Sequence, residues 1–433
     1  MTAATDHATP CAALPAQGQQ PQKPVRRRHV FYLEGYDPQG VPGYYGLFKR
    51  EFARFLQLWP ISGTLGPAET NPDGITGRWR IETEGPNWRV ETTYDFLRWD
   101  DIILRDMARS NWLRPFRVFS NFLGFTLNGT AARIFNAYWR FGCFFCYPVL
   151  LLILTILLAV VVGRMTVEIA SGHSGEAAAI LLGLLVACAV YAVVARATQK
   201  WFVIQLSEMW LFVRDHLRGR RPEMDLRIDA FAERIVAAIR AAEADEVVLV
   251  SHSCGGFIAP DVLARMFARD PFIADHGPRL VWMSIGSIMP AAALHPAGAH
   301  LRRELARLAC DDRLTWIECQ AWDDFVNVWT FDPVVRLALP LEGPRRNPLM
   351  IDVPFREVLY KQTYLRFRVN FFRMHFQFIM ANDRRAAYDY FMMLCGPAPL
   401  TTWALDDAIS RFGSDGAYAA PLTAPDGAAA TSA

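Results

Sequence analysis

The pattern of apolar and polar residues predicts short strands that alternate with amphipathic helices. Apolar side chains recur at helical spacing over residues 43–58 and 228–243. Short apolar runs of strand length, rich in β-branched or aromatic residues, are typical of buried strands. These runs are His29–Glu34, Glu246–Ser251, Leu280–Ile285 and Leu314–Gln320. Because strands alternate with helices, we expect an α/β fold with a mainly parallel, doubly wound sheet.

A different pattern occupies residues 78–84 and 88–93, where apolar and polar side chains alternate strictly. Alternation with a period of two is typical of strands that have one covered and one solvated face. Gly85, Pro86 and Asn87 separate the two segments and supply a turn signal. The pattern therefore predicts a β-hairpin or two neighbouring strands.

Two longer segments, residues 141–163 and 177–195, contain no charged side chain. As helices they would extend about 34 Å and about 28 Å, comparable to the ~30 Å hydrocarbon core of a bilayer. Neither segment has the polar stripe of a helix on the surface of a globular domain. We therefore predict a transmembrane helical hairpin at residues 141–195, inserted between two parts of the α/β domain, residues 29–140 and 196–412.

Charge at the ends of the hairpin predicts its orientation. Arg133 and Arg140 precede the first span and Arg196 and Lys200 follow the second, whereas the connector carries only Arg164 as a basic residue. The positive-inside rule then keeps both parts of the α/β domain in the cytoplasm. Arginine greatly outnumbers lysine and alanine is abundant, as in GC-rich bacterial genomes. The expected location is therefore multi-pass in a bacterial inner membrane.

Composition excludes some function classes. The net charge of +2 gives no reason to expect a nucleic-acid partner. The eight cysteines are scattered, without the spacing of a disulfide framework. Residues 1–28 and 413–433 are rich in small and polar residues, and we predict that both are disordered tails. No metal-binding constellation and no phosphate or dinucleotide fingerprint is present, so neither a metal nor a cofactor is expected.

The most informative motif lies where the strand at 246–251 meets a helix-like segment. Ser253 is flanked by small residues, Ser251 two positions before it and Gly255 two positions after it. We call residues 251–255 the elbow. A sharp strand–serine–helix turn exposes the hydroxyl and brings helix N–H groups close to it, which is what an oxyanion needs.

The elbow resembles that of the α/β-hydrolase superfamily, which usually reads Gly-x-Ser-x-Gly. The resemblance implies that Ser253 is a nucleophile and that the Cys254 N–H donates to the oxyanion. It also implies a second donor in the loop at Gly35 and Tyr36, after the first strand. Ser251 departs from the family's first glycine, but it is small. His252 is expected to point away from Ser253 and to be structural.

The same resemblance implies a chain order of serine, acid and histidine. Asp324, which follows the strand at 314–320, is the expected acid, with Asp323 as the runner-up. Asp332 is a weaker third candidate that we expect to begin a turn. His375 is the only histidine beyond the acid, so it is the expected base. A carboxylate that holds the histidine allows it to take the serine proton.

The sequence therefore predicts a membrane-anchored serine hydrolase that cleaves an ester-type substrate through an acyl-enzyme. The membrane location makes a lipid or acyl ester the expected substrate class. Two alternatives stay open. One is acyl transfer to an alcohol or thiol on the same fold, and the other is a hydrolase-like membrane adaptor without catalysis. A channel is disfavoured, because two spans without charge offer no path for ions.

Overall fold

The computed structural model describes residues 23–109, 113–173 and 175–420. Its strands are β1 Arg27–Leu33, β2 Ser62–Leu65, β3 Glu69–Thr70, β4 Thr76–Gly85, β5 Trp88–Leu97, β6 Glu246–His252, β7 Arg279–Ile285, β8 Thr315–Gln320 and β9 Leu349–Asp352. The helices before β6 are α1 Gly40–Leu58, α2 Asp100–Met107, α3 Arg114–Leu127, α4 Thr130–Ala137, α5 Trp139–Ser171, α6 Glu176–Ala197, α7 Val203–Leu217 and α8 Pro222–Ala241. Those after β6 are α9 Gly255–Arg269, α10 Met289–Ala293, α11 Ala299–Cys310, α12 Pro333–Arg336, α13 Phe355–Val358, α14 Lys361–Phe367, α15 Phe371–His375, α16 Tyr390–Cys395 and α17 Leu400–Leu405.

One mixed, mostly parallel sheet of nine strands organises the described chain. The order is β2-β4-β5-β1-β6-β7-β8-β9, and β3 also pairs with β4. From β5 to β9 all neighbours are parallel, whereas β2, β3 and β4 form an antiparallel edge. The antiparallel pair β4–β5 confirms the predicted hairpin. The α/β prediction is also confirmed at the level of a mostly parallel mixed sheet.

Both faces of the sheet are covered, which explains the continuous apolar runs. In β6, Val247 and Leu249 belong to one hydrophobic cluster, and Val248 and Val250 belong to the cluster on the opposite face. All seven residues of β6 are buried. A parallel strand between two layers has no solvated face, so every position favours an apolar side chain.

Helices α5 and α6 form a hairpin in the connection between β5 and β6, and both are long and apolar enough to span a membrane. Helix α5 is longer than the predicted span at both ends, with 33 residues. Its first turns contribute Phe141, Phe144 and Phe145 to the protein core. Protein, rather than lipid, covers these residues. The exposed apolar part of the helix therefore begins later than residue 141, where the predicted span began.

The ends of the fold also differ from the predicted tail boundaries. Arg28 is buried and its guanidinium Nε lies 2.8 Å from Glu246 Oε2, so the strand begins before residue 29. Tyr418 is buried and forms a β-bridge with Phe412. The remainder of both predicted tails, residues 1–22 and 421–433, lies outside the described residues.

Candidate functional site

The elbow has the backbone geometry of a sharp turn. Ser253 follows β6 directly and has a positive φ of 56°, a left-handed conformation that a serine adopts only when its surroundings impose it. Its N–H donates to the Ile285 carbonyl of the neighbouring strand at 3.1 Å. The turn leaves Ser253 with 9% of its surface exposed, whereas the strand before it is fully buried.

Packing around the elbow explains its small residues. A Cβ at Gly255 would lie 2.5 Å from the Leu33 carbonyl oxygen, so only glycine fits there. Ser251 occupies the other small position, where its Oγ accepts a hydrogen bond from Trp282 Nε1 at 2.8 Å. The departure from glycine at 251 is therefore accommodated by a buried partner on the next strand.

His375 and Asp324 lie in direct contact, although 51 positions separate them. His375 Nδ1 is 2.7 Å from Asp324 Oδ2, and the two side chains are 4% and 0% exposed. The second carboxylate oxygen of Asp324 accepts the Val326 N–H at 2.8 Å. This arrangement holds the imidazole by one nitrogen and leaves the other, Nε2, for a second partner.

The ring of His375 lies beside the elbow. A Cβ at Gly286 would be 2.9 Å from His375 Cε1, and Gly286 follows Ile285, the residue whose carbonyl binds the Ser253 N–H. His375 Nε2 is buried and has no hydrogen-bond partner among the described residues. Hydrogen bonds between a catalytic base and its nucleophile are often long without substrate, so this geometry is compatible with general-base chemistry.

His252 makes a contact that its predicted structural role did not anticipate. Its ring stacks on that of His375, with centroids 4.5 Å apart and planes 23° from parallel. The hydroxyl of Tyr32 lies 3.1 Å from His252 Nδ1. Burial, and secondarily the neighbouring His375, holds the pKa of His252 well below its usual range. A neutral ring therefore supports one face of the predicted base.

The alternative acids lie elsewhere. Asp323 accepts a hydrogen bond from the Tyr364 hydroxyl at 2.7 Å and pairs with Arg356 at 3.3 Å. Asp332 caps α12 by accepting the Val334 N–H and pairs with Arg345 at 2.6 Å, so it begins a turn as expected. Among these three candidates, Asp324 is the one that contacts His375.

The predicted oxyanion loop lies against the elbow. A Cβ at Gly35 would be 2.9 Å from Ser253 Cβ and 3.4 Å from its Oγ. The carbonyl of Tyr36 accepts a hydrogen bond from Gln205 Nε2 at 2.6 Å, which ties this loop to α7. Cys254 is the N-cap residue of α9, where the positive end of the helix dipole attracts negative charge.

The sequence patterns did not identify Glu34, which directly precedes Gly35, as a candidate site residue. It is fully buried, and neither of its carboxylate oxygens has a hydrogen-bond partner in the described chain. Burial, and secondarily Asp37 and Asp100, raises the pKa of Glu34 well above its usual range. The signal in the sequence that could have identified Glu34 is a charged residue at the end of an otherwise apolar run.

The base of the hairpin packs on the loops that carry the predicted acid and base. Arg140, in the first turn of α5, donates to the Trp322 carbonyl at 2.9 Å and stacks on the Trp322 ring at 3.8 Å. Phe202, which precedes α7, packs on Phe372 with ring centroids 4.0 Å apart. Phe372 lies in α15, the short helix that ends at His375. The candidate site and the hairpin are therefore joined by direct contacts.

Within the described ranges, no group of three or more His, Cys, Asp or Glu side chains is arranged to hold a metal ion. The described cysteines are all free. Comparison of the chain with protein-family models, with curated proteins and with solved structures finds no match. The functional interpretation therefore depends on the geometry of the site itself.

Proposed function

We propose that this protein is a serine hydrolase of the α/β-hydrolase kind, anchored in a membrane by α5 and α6. The hydrogen bond of 2.7 Å between Asp324 and His375, next to a serine at a strained turn, is the observation that carries this proposal. Carboxylate, imidazole and serine hydroxyl in this chain order are the components of a nucleophilic triad.

In the proposed reaction, His375 Nε2 takes the Ser253 proton while Ser253 Oγ attacks the ester carbonyl. Asp324 keeps the Nδ1 proton in place and stabilises the imidazolium that forms. The N–H of Cys254 and an N–H of the loop at Gly35 and Tyr36 stabilise the oxyanion. His375 then protonates the leaving alcohol. Water, deprotonated by His375, releases the acid from the acyl-enzyme and restores Ser253.

The contacts at the base of the hairpin support a bilayer ester as the substrate class. If α5 and α6 cross a membrane, the loops with Asp324 and His375 lie close to its surface. Arginine and aromatic side chains, among them Arg140, Trp322 and Phe372, line this junction, as is typical of membrane interfaces. An acyl ester could then reach the site without crossing bulk water.

One observation favours the alternative of a non-catalytic adaptor. His375 Nε2 has no partner among the described residues, and the ring stacks on His252. A scaffold that had lost catalysis would keep the folded site without a reactive serine. The two functions differ in one property, the nucleophilicity of Ser253.

A fluorophosphonate probe measures that property on the full chain in detergent. We expect covalent labelling of the natural protein and none of Ser253→Ala, because an activated serine displaces fluoride from the probe and forms a phosphonate ester. Ser410→Ala, at an exposed serine, is the matched control and should label normally. Equal labelling of Ser253→Ala and the natural protein, or no labelling of either, would contradict the enzyme proposal and favour the adaptor.

A further inference from the structure

A cavity of about 300 Å³ lies between α3, the hairpin and α7, separate from the candidate active site. Its walls are mainly apolar, with Val118, Leu152, Ala192 and Ala195 among the lining residues. Two arginines, Arg114 and Arg196, also line the cavity. An apolar cleft with a few charged groups is the usual form of a site for an amphiphilic ligand.

Charge around the cavity favours an anion. Arg114 and Arg117 both pair with one carboxylate, that of Glu208, at 3.1 Å and 3.4 Å. Arg196 is exposed and makes no ion pair with any residue that the structure describes. The described residues that line the cavity thus include two arginines and no carboxylate. Guanidinium groups bind phosphate through paired hydrogen bonds, so a phosphate group suits this balance.

Helix α3 indicates the depth of the cavity relative to a bilayer. Phe116, Phe119, Leu123 and Leu127 are spaced along one side of α3 and are 44–78% exposed. An exposed apolar stripe on an amphipathic helix is typical of a helix that lies in a membrane interface. The first residues of α3 and the last turn of α6 line the cavity. If the hairpin crosses a bilayer, the cavity then lies at the depth of lipid headgroups.

We infer that this cavity binds one bilayer lipid with an anionic phosphate headgroup. The headgroup would contact Arg196, and part of an acyl chain would lie against Leu152, Ala192 and Ala195. The volume is at the small end of ligand pockets, so the remainder of the lipid stays in the bilayer. This inference depends on the proposed insertion of α5 and α6, but not on catalysis at Ser253.

The test is native mass spectrometry of the delipidated full chain in detergent, titrated with phosphatidylglycerol or phosphatidylcholine. We expect one phosphatidylglycerol to bind more tightly than phosphatidylcholine. Arg196→Gln should weaken phosphatidylglycerol binding about fivefold to tenfold, the effect of one cation near an anionic lipid. Lys200→Gln removes the same charge from an exposed residue outside the cavity and should change nothing.

A second pair of variants tests the apolar part of the cavity. Ala192→Phe should fill the cavity and reduce binding, whereas Ala189→Phe, exposed on the same helix but not lining the cavity, should not. Equal affinity for the two lipids, equal effects within either pair, or displacement of phosphatidylglycerol by inorganic phosphate would overturn the inference. So would a dimer that Ala192→Phe disrupts, because the occupant would then be a second copy.

Two controls separate this inference from the proposed function. Ser253→Ala should bind phosphatidylglycerol normally, so loss of probe labelling with intact lipid binding would affect only the enzyme proposal. Extraction of the natural protein from membranes by alkaline carbonate would contradict insertion of the hairpin, and with it the inferred lipid site.

Discussion

The inner and outer faces of the loop after β8 place two neighbouring carboxylates in different chemical surroundings. Asp324, on the inner face, is 0% exposed and contacts His375 and a backbone N–H. Asp323, on the outer face, is 7% exposed and contacts Tyr364 and Arg356. Both carboxylates have hydrogen-bond partners and are largely buried, so burial does not distinguish them. The identity of the partner does, because among these partners only the imidazole can accept a proton from a serine hydroxyl at neutral pH.

The largest expected effect comes from a substitution at Asp324, on the inner face of the loop. Asp324→Asn should lower the rate of fluorophosphonate labelling roughly 10³- to 10⁴-fold, because an amide neither holds the required tautomer nor stabilises imidazolium. Asp323→Asn is the matched variant on the outer face and should lower that rate less than about tenfold. The measurement is the labelling rate of both proteins, monitored over time by intact-mass spectrometry. Equal losses would contradict the assignment of Asp324.

A third carboxyl, that of Glu318 in β8, extends the comparison because no cation or imidazole among the described residues is bonded to it. Trp316 Nε1 donates to it at 3.2 Å, and burial raises its pKa to about 8. Between pH 4.5 and 8 the folded protein therefore keeps a proton that the unfolded chain has lost. Unfolding releases this proton, so stability falls as the pH rises, by about 1.4 kcal/mol per pH unit.

Glu318→Gln should remove this contribution, since glutamine has no proton to release. We expect the variant to gain thermal stability relative to the natural protein at pH 8, and to gain much less near pH 5. Thermal unfolding in detergent at both pH values is the measurement. Glu357→Gln, on an exposed side chain, provides the control. A gain for Glu318→Gln that did not grow with pH would contradict the protonated state of Glu318.

The smallest expected effect is the loss of stability when Ser251, the other serine of the elbow besides Ser253, is replaced. Ser251→Ala removes the acceptor of Trp282 Nε1 and leaves a buried donor unpaired, which should cost about 1–2 kcal/mol of unfolding free energy. Denaturant unfolding monitored by tryptophan fluorescence measures this. Ser251→Gly should cost at least as much. Stability equal to that of the natural protein would mean that the hydrogen bond contributes nothing at this position.

Local patterns in the sequence determined most of the scaffold of this protein. The run from Val247 to Val250 predicts a buried strand, the segments on either side of Gly85 predict a hairpin, and the charge-free segments predict two apolar helices. Each of these depends on neighbouring residues, whose periodicity follows directly from the geometry of helices and strands. The strand–serine–helix turn was also recognisable as a local pattern, although the contacts that require its small residues come from other strands.

Only the tertiary structure decided which groups meet. It brought His375 to Asp324 rather than Asp323, stacked His252 on the predicted base, and buried the Glu34 carboxyl without a hydrogen-bond partner among the described residues. It also covered the first turns of α5 with protein while leaving most of α6 exposed. These outcomes depend on contacts between elements far apart in the chain, and patterns among neighbouring residues do not encode such contacts.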